Sequence, residues 1–420
     1  MHVDVPTTAA HTRSSFLPVW AVTGATFLVV TSEMMPVGVL SPLAASLQIS
    51  HGLAGMSLTV TGLIAAVVST LAPILARRVD RRAILVGFMV ALAAANALTA
   101  CAPNFATLAG ARVLLGIAMG MVWGLAAGLG PRLVSGARVG RATTLIFSGV
   151  AIASVLGVPL GTAVADFAGW RAAFWGLAAL GIVSSVLLRA LLPPLPAAES
   201  VRLGTVFGVL RTPGVAWGLA ITGLVVLAHF SGYTYVRPVL ESAFGIAASA
   251  VAGVLLVYGI AGVAGNFVLG AVAGRSPRFA VLLAVGAVAA ATWGIAAISE
   301  PVSGLVFALV VVWGLGYGGV SVSTQSWTAA ADPGRVEASA AIWAGVCNAS
   351  IAVGSAIGGI AVNVSGPRAA MLLAGLLAVA AWGLAGATRP VPRAARSGHP
   401  AAAARATRRR ARASSRPEEA

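Results

Sequence analysis

Twelve stretches of 17 residues or more contain no Asp, Glu, Lys or Arg: 14–32, 34–76, 83–111, 113–131, 142–165, 172–188, 212–236, 242–274, 279–299, 301–331, 338–367 and 369–388. A helix needs about 20 apolar residues to cross roughly 30 Å of hydrocarbon. The runs are rich in Gly, Ala, Val and Leu and lack period-two alternation, which selects helices over a barrel. Only 9% of the chain is charged and 59% is hydrophobic, whereas a soluble domain is about 25% charged. A soluble enzyme and a disordered chain are both excluded. The fold class expected is an all-α membrane protein with twelve transmembrane helices.

The charges between the runs set the organisation. All 27 basic residues are Arg, so no phosphate-binding loop with its lysine exists and the chain is no Walker-type ATPase. Cys101 and Cys347 are far apart in apolar surroundings and predict no disulfide. Arg13 precedes an apolar run without a cleavage site, which reads as a retained first span. Placing spans between charges leaves 23 arginines in one set of loops and tails and three, Arg171, Arg237 and Arg368, in the other. Arginine-rich loops stay cytoplasmic, so both termini are expected there. The expected units are an N-terminal tail 1–17, a six-helix half 18–190, a linker 191–212 containing Pro193, Pro194 and Pro196, a second half 213–388 and a basic tail 389–420. That tail reads as a segment touching anionic lipid rather than nucleic acid.

The halves repeat at an offset of 197. Arg78 and Arg275, Arg81 and Arg278, Arg138 and Arg335, and Arg171 and Arg368 fall in register, as do Gly157 and Gly354, Gly161 and Gly358, and Gly169 and Gly366. Parallel repeats of six helices are one way secondary transporters are built, with the solute site near midplane between the halves.

Four segments then resemble the major facilitator superfamily. They are Pro73-Ile-Leu-Ala-Arg-Arg-Val-Asp-Arg-Arg82, Arg112-Val-Leu-Leu-Gly116, Gly149 with Gly157-Val-Pro159-Leu-Gly161, and Glu33-Met-Met-Pro-Val-Gly38. Within the family the chain resembles the drug:proton antiporter branch, which includes sugar, chloramphenicol and purine ribonucleoside exporters. Tyr233-Thr-Tyr-Val-Arg-Pro238 looks most like the nucleoside exporters. The chain departs from the family pattern in two places. Arg77 stands where an Asp is usual and Asp80 where a Gly is usual, and Val158 interrupts a Gly-Pro step. Gly157, Pro159 and Gly161 are read as a helix-packing motif, since small residues let membrane helices approach closely.

Glu33 is the only acid well inside a span. Ionisable groups in hydrocarbon normally face a cavity and carry a function. It lies roughly 12 Å below the end of its span, and Arg112 in span 4 lies at roughly 10 Å. Similar depth suggests a pair, serving either as a proton switch or as a permanent brace. His229, next to the repeat equivalent of Glu33, reads either as a proton relay or as a neutral bundle histidine. Tyr233, Tyr235, Asn348, Trp123 and Trp343 are candidates for solute binding, each with an equally simple packing or interface role. Arg77, Arg78, Arg81 and Arg82 are expected to meet Asp332 and Glu337 across the cytoplasmic side as a gate.

No metal-ligand cluster, nucleophile–base arrangement or dinucleotide fingerprint is visible, and no cofactor is expected beyond a proton gradient. The expected function is proton-coupled efflux of a small neutral polar solute by a monomer in a bacterial cytoplasmic membrane, in contact with protons and lipid. A solute sensor with a transporter fold and an uncoupled facilitator are the alternatives.

Overall fold

The computed structural model describes residues 16–76, 78–126, 129–135, 138–196, 208–298 and 303–388. The basic tail 389–420, nearly all of the N-terminal tail, Arg77 and residues 197–207 of the linker lie outside them, as does the side chain of Glu337. Among the described residues, twelve helices are long and apolar enough to span a membrane: α1 Leu17–Leu47, α2 His51–Ala72, α3 Arg81–Ala100, α4 Phe105–Ala126, α5 Arg138–Ala168, α6 Trp170–Leu191, α7 Pro213–Tyr233, α8 Ala248–Ala273, α9 Pro277–Ala297, α10 Gly304–Ala331, α11 Ala338–Ser365 and α12 Pro367–Ala387. No strand occurs among these residues. The end of α6 and the start of α7 share one face of the bundle, called here the linker face; the opposite one is the far face.

The 197-residue repeat is a structural repeat. Gly169 and Gly366 precede α6 and α12 with φ of 86° and 81°, a left-handed conformation that glycine adopts without steric cost. The arginine two residues beyond each glycine turns back to the same place in its half. Arg171 donates to Ser46 and Ala102, and Arg368 donates to Ala243, which is the repeat equivalent of Ser46. Gly157 faces Thr31 and Gly161 faces Met35 where α5 meets α1, while Gly354 faces Leu227 and Gly358 faces Ser231 where α11 meets α7. Close backbone approach of this kind is how membrane helices gain contact without a hydrophobic driving force.

Proline shapes α5. Pro159 has no N–H to return to the carbonyl four residues back. The preceding turn, Ala153–Gly157, is π-helical, and Val158 N–H bonds the Ala153 carbonyl. Helix α8 closes against this bulge, with Gly259 packed on Ser154 and Val155.

Each half has its own apolar core, but they are not sealed from each other. Val37, Leu58 and Val158 of the first half pack into the core of the second. Tyr235, Val362 and Ala370 of the second pack into that of the first. Phe167, Phe267 and Ile360 are largely exposed, as expected of a perimeter solvated by lipid tails.

Candidate functional site

Helix α1 contains Pro36 and Pro42 and departs from helical geometry at Val39. A proline inside a helix strands the carbonyl four residues before it. Pro36 therefore strands the carbonyl of Ser32, and Pro42 that of Gly38. An arginine occupies each: Arg112 donates to the Ser32 carbonyl at 3.1 Å, and Arg237 donates to the Gly38 carbonyl at 2.5 Å.

This local chemistry corrects the expected Glu33–Arg112 pair. Arg112 is fully buried, with its guanidinium 4.9 Å from the centroid of the Phe174 ring. No ion pair joins it to Glu33, and its Nε and Nη2 have no hydrogen-bond partner. Glu33 is 4% exposed and its Oε1 is likewise without a partner. The adjacent Met34 packs against the core of the second half. Glu33 thus lies on a stretch of α1 that borders the second half, while Arg112 is tied into the first.

On the other side lies an aromatic nest centred on His229. Its imidazole stacks on Tyr317, with ring centroids 3.3 Å apart, and on Tyr233 at 4.8 Å. Trp313 Nε1 donates to His229 Nδ1 at 3.1 Å. A neutral imidazole accepts at one nitrogen and carries its proton on the other, so this bond places the ring proton on Nε2. Tyr258 completes the nest against Tyr233 and Trp313, and its buried hydroxyl has no hydrogen-bond partner. Phe230, Tyr258, Trp313 and Tyr317 do not stand out in the sequence. The available signal is composition: the chain has four tyrosines, and all lie in the second half.

The remaining candidates divide. Tyr233 belongs to the nest. Tyr235 does not: it is fully buried, donates to the Ser355 carbonyl at 2.7 Å, and packs on Gly55 and Gly359 between α2 and α11. Asn348 is spent partly on its own helix, donating to Ala344 at 3.0 Å, and its backbone carbonyl faces Gly62 of the first half. Trp123 stacks on Phe147. Trp343 donates to Thr324 at 3.0 Å and packs near Val215 and Leu219, away from the nest.

Asp80, Arg82, Asp332 and Arg335 at the linker face bond within their own halves. Asp80 caps α3 and accepts from Leu195 N–H, and Arg82 donates to the Arg189 carbonyl. Asp332 pairs with Arg335 at 2.7 Å and accepts from Thr212. Arg78 is exposed. In this conformation no ion pair joins Arg78, Arg81 or Arg82 to Asp332. A cross-half ion pair stands at the far face, between Arg237 and Asp166 at 2.8 Å. Further cross-half hydrogen bonds lie toward that face too: Gly52 to Asn363, Ser355 to Gly55, and Thr59 to Ala352. The bundle is closed at the far face.

Residues 22–348 match the sequence profile of the Major Facilitator Superfamily. The chain belongs to the major facilitator superfamily. Among superfamily relatives, it is 32% identical over 370 residues to the purine ribonucleoside efflux pump NepI of Salmonella enteritidis, covering 87% of this chain and 92% of that one. It is equally similar, 32% over 373 residues, to the transcription regulatory protein OpdE of Pseudomonas aeruginosa, covering 88% and 92%. The superfamily fold is also that of solved structures. A bacterial homolog of the human lysosomal transporter Spinster, inward-facing and unoccupied, superposes with a TM-score of 0.72 at 15% identity, over 90% of this chain and 97% of that one. The nucleoside transporter NupG superposes with a TM-score of 0.73 at 13% identity, over 88% and 98%.

Proposed function

We propose that this transporter exports a small neutral polar solute, a purine nucleoside foremost and a sugar or chloramphenicol-like drug second, in exchange for protons. The observation that carries the reading is Glu33: a buried carboxylate with an unpartnered oxygen, on a stretch of α1 whose next residue, Met34, packs against the core of the second half. The nest offers ring faces on which a nucleobase can stack, and the free Tyr258 hydroxyl offers it a hydrogen bond. The efflux-pump relative supports the direction and the solute class. Little charge lies in the spans, so a permanent dication would lack partners.

Proton coupling requires a group that binds a proton on one side and releases it on the other, with solute affinity that differs between the states. Glu33 is that group. Arg112 contributes only if it leaves the Ser32 carbonyl in another state. His229, with Nδ1 engaged by Trp313, orients the nest and presents Nε2–H. The chain sits in the bacterial cytoplasmic membrane as a monomer, with the linker face and both termini cytoplasmic.

Counterflow of a radiolabelled purine ribonucleoside in proteoliposomes tests the transport reading, and nucleoside-driven proton movement tests the coupling. The regulatory name of the OpdE relative favours a second reading, a sensor that binds solute without moving it. Binding without counterflow is the result that selects it.

A further inference from the structure

Arg237 is four residues past the end of α7, yet its side chain is only 3% exposed. All its side-chain nitrogens are used. Nη2 bonds Asp166 at the end of α5, Nη1 bonds the Gly38 carbonyl in α1, and Nε bonds Glu241 one turn onward in its own half. Two of the three contacts therefore cross between the halves, and both lie at the far face.

From this arrangement we infer that Arg237 is the positioning residue that holds the far face of the transporter shut, with Asp166 and the Pro42-freed Gly38 carbonyl as its catch. The latch acts for any cargo and any coupling ion, because it decides which face is open and not what is carried.

The sockets explain why the latch is both specific and releasable. Gly38 can accept from another helix because Pro42 has no N–H to offer it. Tyr235 and Arg237 lie in the segment that follows α7, and Tyr235 has φ −108°, ψ 14°, outside the helical region. That break is what turns Arg237 toward the first half. When the far face opens, Asp166 and Gly38 must leave Arg237 together, since both belong to the first half. Glu241 stays, being four residues away on the same segment. A buried guanidinium stripped of all partners is strongly unfavourable; the Glu241 contact prevents that, so opening exchanges two bonds for water and strands no cation. Asp166 is 19% exposed on its side chain and has water at hand.

The test measures the far-face opening directly. Spin labels at Ala45 of α1 and Ser249 of α8, both exposed, report the distance between the halves in nanodiscs, in a background of Cys101→Ser and Cys347→Ser. The unaltered latch should give a dominant short distance. Asp166→Asn and Arg237→Gln should each lower the ratio of short to long distances about tenfold, the change produced by about 1.4 kcal/mol. Pro42→Ala, which returns an N–H to the Gly38 carbonyl, should shift it in the same direction. If Arg237→Gln does not fold, Asp166→Asn carries the test. A folded Asp166→Asn variant with an unchanged distance distribution overturns the inference, even if its melting temperature falls, because a merely structural ion pair would alter stability without moving the ratio.

Discussion

Arg112 hydrogen-bonds the carbonyl of Ser32 at 3.1 Å and not the carboxylate of the neighbouring Glu33. One residue of register separates a brace from an ion pair. The brace is favoured because Pro36 has already removed the helix's own donor to Ser32, and a buried carbonyl left without one costs about 1–3 kcal/mol. Arg112 meets that need from α4, and the Oε1 of Glu33 is left without a partner.

If Glu33 carries the proton, Glu33→Gln should abolish uphill export while solute counterflow survives. Gln keeps the shape of the protonated carboxyl and cannot titrate. Glu33→Asp should keep partial activity with a displaced pH optimum. Transport against a gradient in inverted vesicles, compared with counterflow in proteoliposomes, separates the two effects. Normal uphill export by Glu33→Gln would make Glu33 structural.

Tyr258→Phe removes a nest hydroxyl that has no partner within the protein. If that hydroxyl binds solute, the half-saturating solute concentration in counterflow should rise about tenfold, equivalent to about 1.4 kcal/mol, with thermal stability unchanged. Equal affinity in the variant and the parent would remove Tyr258 from the site.

Helix α11 touches α7 through Gly354, whose added Cβ would meet the Leu227 carbonyl oxygen at 2.5 Å. Gly354→Val should destabilise the protein by about 1–3 kcal/mol, as overpacking does. Gly383 in α12 has open space around it, and Gly383→Ala should be neutral or stabilising by up to about 1 kcal/mol. Thermal unfolding in detergent, followed by fluorescence, reads both.

Cys101 provides a native topology reporter, because it is free and exposed at the far-face end of α3. With the linker face cytoplasmic, a membrane-impermeant maleimide should label it in intact cells, and a cysteine introduced at Pro194 should react only after lysis. Reaction at Pro194 from outside would invert the topology.

The spans are legible in the residue order because hydrocarbon tolerates so few charges that their positions mark the helix ends. Helix α1 shows the limit of that signal. No charge between Glu33 and Arg77 marks its end, and the helix runs through Pro42 to Leu47. Proline bends a membrane helix without ending it when another helix satisfies the freed carbonyl, and here Arg237 does so.

The interior of the candidate site is only partly legible. Glu33 stands out as a lone deep acid, and the repeat brings His229 next to its counterpart position. Trp313 and Tyr258 do not stand out, since a ring in an apolar span looks the same whether it packs, faces lipid or lines a site. Tyr235 shows the converse: two residues from Tyr233, it turns to the α2–α11 seam because the helix breaks between them.

From its residue order alone the chain determined that it spans a membrane twelve times, that its halves repeat every 197 residues, and which side chains are costly enough at depth to have a purpose. Those properties depend on local composition against hydrocarbon, which acts on each segment separately. Tertiary structure decided the partners: Arg112 on Ser32, Arg237 on Gly38 and Asp166, and His229 among the rings of α7, α8 and α10. Such choices depend on which groups are left unsatisfied when helices pack, and 199 residues of chain separate the Arg237 guanidinium from the Gly38 carbonyl it completes.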